Sequence, residues 1–160
     1  MARKNSKSGE RYCEIRNSKA QRDYFVDETL EAGLVLQGTE VKSIRAGGAQ
    51  ISESFVRIDR GEAILYHANI QEYAFGNFQN HNPYRPRKLL LHRKEILKWE
   101  QAIKAGGLAI IPLKMYFKNG MVKVQLGLCR GKREYDKRED LKEAVDRREM
   151  DRAIKAHLHR

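Results

Sequence analysis

Residues 111–128 read Ile-Pro-Leu-Lys-Met-Tyr-Phe-Lys-Asn-Gly-Met-Val-Lys-Val-Gln-Leu-Gly-Leu, and this stretch decides the fold. Asn119-Gly120 lies between two alternating apolar and polar runs. A type I′ turn needs φ > 0 at both central residues, which Asn-Gly supplies at little cost. With that turn, Lys118 faces Met121, Phe117 faces Val122, Met115 faces Val124, Leu113 faces Leu126 and Ile111 faces Leu128. The last four pairs are apolar and share one face. The other face sets Lys118, Tyr116 and Lys114 against Met121, Lys123 and Gln125. A one-residue slip would bury the lysines, so the register is strongly specified. The expected hairpin has a core face and a basic-aromatic face. Cations beside rings suit phosphate and base contact. They equally suit an ordinary solvated strand face.

Before the hairpin, Asn17 or Ser18 can cap a short helix from Lys19 to about Phe25, with Lys19 and Arg22 on its polar side. Leu30, Ala32, Leu34 and Leu36 alternate as a strand. Thr39 reads as the N-cap of a helix with Glu40 in its first turn, where the dipole favours a carboxylate. Gly47 ends that helix, and Lys42 and Arg45 face outward. Residues 59–62 form a turn between two strands, with Gly61 left-handed. Residues 76–86 are a polar loop, and 87–91 are extended again. Ile96, Trp99 and Ile103 mark the core face of a helix over 92–105, stopped by Gly106-Gly107. Seven short, mostly antiparallel strands with about three short helices predict a mainly β fold, an OB-like antiparallel barrel over 11–129. A β-sandwich is the alternative.

The ends differ from the core. Residues 1–10 are polar and basic and are expected to be disordered. Residues 130–160 form a basic, helix-prone tail. At 100° per residue, Leu141 and Val145 fall on one side of a helix, and Met150, Ile154 and Leu158 on the other. Two such half-stripes cannot both dock on one core. The tail is therefore expected to be disordered alone and helical on a partner. A solvated charged helix is the alternative.

The chain of 160 residues carries a net charge of +11. That excess points to a polyanion, either nucleic acid or an acidic membrane surface. It is clustered: residues 1–22 carry seven Lys/Arg against two acids, 85–98 six against one, and 130–138 five against two. Residues 139–160 balance at six against six. Cys13 and Cys129 have no metal-ligand spacing and read as free thiols of a reducing cytosol. No apolar run follows the early basic residues or approaches the length of a membrane span.

No phosphate-binding glycine loop, G-x-S-x-G or H-E-x-x-H is present. His67, His81 and His92 have no carboxylate at a readable spacing. His157 and His159 are only a weak metal hint at the chain end. We therefore expect no catalytic residue, no metal site, no cofactor and no small-molecule substrate. Glu40, at a helix N-terminus, has its pKa lowered rather than raised, which suits a structural or RNA-contacting role. Tyrosines beside Lys/Arg are the vocabulary of RNA stacking and phosphate contact.

Five strings then stand out in order: Glu31-Ala-Gly, Gly38-Thr-Glu-Val-Lys-Ser-Ile-Arg-Ala-Gly47, Arg85-Pro-Arg-Lys-Leu-Leu-Leu91, Tyr116-Phe-Lys-Asn-Gly120 and Gly131-Lys-Arg-Glu-Tyr-Asp-Lys-Arg138. Together they resemble the SmpB family, the tmRNA-binding proteins of bacterial trans-translation, from about Asn17 to Arg138. The resemblance implies a cytoplasmic, monomeric, non-enzymatic adaptor on an OB-like barrel. It implies binding to the tRNA-like part of tmRNA, support of its aminoacylation, and delivery to stalled ribosomes. The tail would enter the decoding centre and the empty mRNA channel. The family's tmRNA-contacting positions fall on Glu31, Leu90, His92 and Lys123; Asn17, Lys19, Arg22, Arg87, Lys88 and Lys118 complete the expected set. The ribosome-directed tail motif falls on Gly131, Lys132, Tyr135, Asp136, Lys137 and Arg138, and Ile154 matches an apolar tail position further on; Arg133 completes the expected tail set. His92 stands where Asn is common, and Tyr135 where His is common. An RNA-processing enzyme or a ribosomal structural protein on the same scaffold are the competing functions.

Overall fold

The computed structural model describes residues 13–158. The expected disorder of residues 1–10, and His159, lie outside them. Strand β1 (Ile15–Arg16) leads into helix α1 (Ser18–Asp23), whose N-cap Asn17 accepts from the Ala20 amide at 3.1 Å. The long strand β2 (Tyr24–Leu34) follows, then α2 (Gly38–Arg45) and β3 (Ala49–Gln50). Strands β4 (Phe55–Asp59) and β5 (Glu62–Tyr66) form a hairpin, and β6 (Asn69–Ile70) pairs with β3. After the polar loop come β7 (Arg87–Leu90), α3 (Arg93–Lys104), β8 (Leu108–Lys118), β9 (Met121–Gly131) and α4 (Glu134–Leu158).

β8, β4, β5, β7, β2 and β9 are hydrogen-bonded in that order, every pairing is antiparallel, and β9 pairs back onto β8. The sheet thus closes into a ring, and Ile110, Met115, Val124, Leu126, Leu65 and Leu89 fill its interior. Trp99 of α3 and Ile44 of α2 are each 1% exposed and pack on the same core. The expected N-cap of α2, Thr39, is corrected to Gln37. The Glu40 carboxylate reaches back to the Gln37 amide at 2.7 Å, which moves the start of the helix forward.

The β8–β9 hairpin keeps the expected register from its turn as far as Lys114 opposite Gln125. Asn119 and Gly120 take φ of 52° and 76°. Beyond that point a bulge at Leu113 shifts the pairing by one. Pro112 now faces Leu126 and Ile110 faces Leu128, so the expected Leu113–Leu126 and Ile111–Leu128 pairs are corrected. The cause is local. The carbonyls of Pro112 and Leu113 are taken by Asn17, through its side-chain amide at 2.8 Å and its backbone amide at 2.8 Å. Leu113 moves to the outer layer, over Gly127, where a Cβ would stand 3.1 Å from its Cδ1. There it joins a second, smaller cluster with Ala20, Ile111 and Cys129.

Glu40 is fully buried, and so is its partner Arg87. Arg87 Nε donates to Glu40 Oε1 at 2.8 Å, and Arg85 donates to Oε2 at 2.8 Å. The remaining Arg87 nitrogens donate to the carbonyls of Ala68 (2.8 Å) and Pro83 (3.0 Å). Burial raises the Glu40 pKa, but the hydrogen bonds from Arg85, the Gln37 amide and Arg87 outweigh it, and the carboxyl ends below its ordinary value of 4.5. A carboxylate whose pKa is depressed by folding adds stability above its unfolded value, and that stability is lost as pH falls through the folded value. Glu40→Gln should cost about 3–5 kcal/mol at neutral pH, because Arg87 is left buried without a counter-charge. Below pH 4.5 the gap between variant and wild type should narrow. Denaturant midpoints measured from pH 7 to pH 3 check this; a gap of constant size would show that Glu40 is not charged in the fold.

Candidate nucleic-acid interface

Three adjacent strands and two connections build one open groove of about 840 Å³. β2 lies between β7 and β9: Gly33 is opposite Leu90 on one side and Lys123 on the other. Having no side chain, Gly33 leaves a gap in the floor; a Cβ there would come within 3.2 Å of Leu90 Cβ. Glu31, two residues along β2, and Lys88, two residues along β7, project on the same face and also line the groove. His92 precedes α3 with its imidazole exposed, its backbone amide held by Glu95 at 3.0 Å. Arg93 and the β4–β5 turn at Arg60-Gly61 complete the rim.

Of the expected RNA contacts, Glu31, Lys88, Leu90, His92 and Lys123 are therefore brought together from four separate segments. Lys118 stands beside them, donating to Glu31 Oε1 at 3.1 Å. Two expectations are corrected. Arg87 is enclosed by the Glu40 pair, and its alternation with Lys88 and Leu89 turns it inward. Asn17 is 3% exposed and spends its side chain on α1, Ile51 and the β8 bulge. Neither can reach a partner on the surface. Lys19 and Arg22 lie on α1, away from the groove, paired with Glu53 and Asp23. Tyr116, Arg60 and Arg93 were absent from the expected set. The turn signal at 59–62 could have pointed to Arg60, but only the ring shows which end of the sheet that turn reaches.

Glu31 is held on the outer face by the Tyr116 hydroxyl and by Lys118. The Tyr116 hydrogen bond first, and then Lys118, keep its carboxyl below the ordinary range. Burial, followed by that carboxylate, pushes the Tyr116 phenol up to about 12. The acid in a basic groove is thus a fixed hydrogen-bond acceptor, able to take a donor such as a base amino group or a 2′-hydroxyl.

The tail begins where β9 ends, at Gly131. The Lys132 amide donates to the Asp23 carbonyl at 2.9 Å, and its Nζ donates to the Gln21 carbonyl at 3.0 Å. The same ammonium pairs with Asp140 and stands 4.8 Å from the Phe25 ring. The Arg133 amide donates to Asp136 at 3.2 Å, and Lys137 reaches Asp23 at 3.4 Å. Arg138 meets Glu134 only at 3.9 Å, and Tyr135 is exposed, its hydroxyl against Glu139. No side chain of α4 is buried: Leu141, Val145, Met150, Ile154 and Leu158 are all exposed. Cys13 and Cys129 are free thiols, the latter pushed up to about 11 by burial. Among the described residues no helix is long and apolar enough to cross a membrane.

A closed antiparallel ring with a cation-lined, open-sided groove and an exposed helical tail defines a small basic scaffold protein suited to an extended polyanion. Comparison with known proteins narrows the class. The chain belongs to the SmpB family, whose model, described as SmpB protein, matches residues 14–156. It is 52% identical over 147 residues to the SsrA-binding protein of Bacillus pumilus (strain SAFR-032), covering 92% of this chain and 94% of the relative. It is 53% identical over 139 residues to the SsrA-binding protein of Bacillus subtilis (strain 168), covering 87% and 89%. A solved structure described as "tmRNA-SmpB: a journey to the center of the bacterial ribosome" superposes with a TM-score of 0.65 at 47% identity, covering 82% of this chain and 94% of that one.

Tyr116→Phe removes the hydroxyl that holds Glu31. The Glu31 carboxyl should then titrate closer to its ordinary 4.5, and the tyrosine ionising at about 12 should vanish from the ultraviolet titration. Side-chain NMR of Glu31 reads the first effect; an unmoved titration would show that Lys118 alone sets the carboxylate.

Proposed function

We propose that this chain is a non-enzymatic RNA-binding adaptor of trans-translation. It binds the tRNA-like domain of tmRNA in the groove between β7, β2 and β9. By holding that domain it supports aminoacylation, and it delivers the charged RNA to ribosomes stalled without a stop codon. The scaffold is an OB-like barrel over residues 11–129, working as a cytoplasmic monomer on tmRNA. The observation that carries the reading is the convergence of Glu31, Leu90, His92 and Lys123, from three strands and one helix start, on a single groove. A carboxylate acceptor, an exposed aliphatic surface, an imidazole and an ammonium together match what a folded RNA presents: amino and hydroxyl donors, base faces and phosphates. The relatives named for SsrA binding and the neighbour described with tmRNA and the ribosome point the same way.

The tail supplies the second half of the function. Residues 130–160 enter the decoding centre and the vacant mRNA channel, with Gly131 as the joint. Tyr135 is placed to stack on an exposed base; Arg133, Lys137 and Arg138 meet phosphate, and Asp136 caps the start of the helix. The tail is disordered in the free protein and becomes the α4 helix when that channel encloses it. Its apolar half-stripes, including Ile154, face outward along the helix and meet the channel wall rather than the barrel.

Lys123→Ala should weaken binding of the tRNA-like domain and lower the slope of log K against log salt by about 0.7–0.9, the value of one lost phosphate contact. Filter binding from 50 to 300 mM salt checks this; a weaker complex with an unchanged slope would assign Lys123 to a base edge instead.

A chain ending at Arg133 keeps β9 and the Lys132 contacts to the Asp23 and Gln21 carbonyls, and loses only its pair with Asp140. It should melt with the full chain and bind tmRNA within about twofold, yet fail to tag nascent peptide on stalled ribosomes. Tagging assayed beside RNA affinity separates the two roles, and loss of both together would refute the division of labour.

A further inference from the structure

We infer that Arg60 and Arg93 form a second cationic wall of the groove, across from Lys123, that takes phosphodiester oxygens of the bound RNA. The inference rests on the RNA-binding reading of that groove and adds two residues to it.

Several cations on and beside the groove already hold an acid. Lys88 is committed to Glu62 at 2.6 Å, Lys118 to Glu31 at 3.1 Å and Lys98 to Glu28 at 2.7 Å. Arg60 and Arg93 both line the groove and are exposed, and neither has an ion pair or hydrogen bond among the described residues. A phosphate meeting them displaces no existing partner. A guanidinium also offers two parallel donors, which fit two phosphate oxygens better than an ammonium does.

In the β5–β7 pairing Ala63 faces Leu89, so the preceding turn residues run past the end of β7 and stand beside His92 and Arg93. On the far side, Lys123 is two strand spacings from Leu90, through Gly33. The Arg60 turn precedes β5, one strand beyond β7, so the two walls are three spacings apart, roughly 14 Å at about 4.8 Å each, across a floor of Gly33 and Leu90. Cations on both banks of an apolar floor hold a strand by its backbone and leave the floor for a base or ribose.

Among the described residues two hairpin turns pair a non-glycine residue with glycine at the same φ values: Asn119-Gly120 at 52° and 76°, and Arg60-Gly61 at 51° and 77°. Asn is among the few non-glycine residues that enter the left-handed region readily, whereas Arg is strained there. The β8–β9 turn carries the relaxed residue; the β4–β5 turn on this rim carries the strained, charged one. Strain of this kind clusters where a side chain is needed for function.

Arg60→Asn therefore separates the two roles. If Arg60 serves the fold, the substitution lowers the melting temperature; if it serves RNA binding, the melting temperature holds or rises while affinity falls. The probe is the in-vitro-transcribed tRNA-like domain of tmRNA, titrated against wild type, Arg60→Asn, Arg93→Gln and Lys123→Ala from 50 to 300 mM salt, beside thermal melts. We expect Arg60→Asn and Arg93→Gln each to weaken binding about three- to tenfold at low salt and to reduce the salt slope by about 0.7–0.9. Wild-type affinity and slope in both variants, or a lowered melting temperature in Arg60→Asn with unchanged affinity, overturns the second wall. If Lys123→Ala weakens binding while the two arginine variants do not, the wall falls and the groove stands. If the wild-type chain itself does not bind the probe, the RNA-binding reading falls with it.

Discussion

The fold turns on one buried carboxylate. Glu40 sits at the start of α2, where the dipole and the Gln37 amide favour a negative charge, and it meets two arginines from the far side of the polar loop. Arg87 is the side chain that ties the pieces together: it holds Glu40, the Ala68 carbonyl and the Pro83 carbonyl at once. A guanidinium buried this deeply is tolerated only because its donors find acceptors in fixed places. Arg87 is also the first residue of β7. The cluster therefore sets where β7 enters the ring, and with it where Lys88 and Leu90 meet Gly33 and Lys123.

Pairing determines how the net charge of +11 is felt. Many of the cations closest to the ring are neutralised by an acid within contact distance, including Lys19, Lys88, Lys98, Lys118 and Arg130. Exposed pairs of this kind add little stability, but they remove their charge from the surface field. The cations left over matter more for a partner. On the groove these are Arg60 and Arg93, while Lys123 acts on Glu31 only through space. Glu31, with Glu62 and Glu95, brings negative charge to the groove, and its carboxyl is kept ionised by Tyr116 and Lys118, so that an acceptor stands among the donors.

The joint between core and tail has the opposite character. Lys132 is enclosed by α1 and β2, with its ammonium divided among a carbonyl, a carboxylate and a ring face. One residue later the chain leaves the core, and among the described residues nothing beyond it is buried. A helix with mean burial this low and apolar residues on two sides gains little from the barrel.

The sequence by itself determined the local structure. Asn119-Gly120 set the hairpin turn, the lysine alternation set its register near that turn, Asn17 capped α1, and Gly106-Gly107 ended α3. Each depends on neighbours within a few residues, where propensity and steric rules act. The family resemblance likewise pointed to Glu31, Leu90, His92 and Lys123 before any of them could be seen to meet. The tertiary structure alone decided the rest. Asn17, 95 residues from Pro112, draws β8 into a bulge that moves Leu113 out of the main core and Ile110 into it. Arg87 reads as one more surface cation until the ring places Glu40 beside it, and Arg60 reads as an ordinary turn residue until β5 is laid against β7. Burial and charge pairing belong to contacts between distant segments, and no local pattern encodes which acid a given arginine will meet.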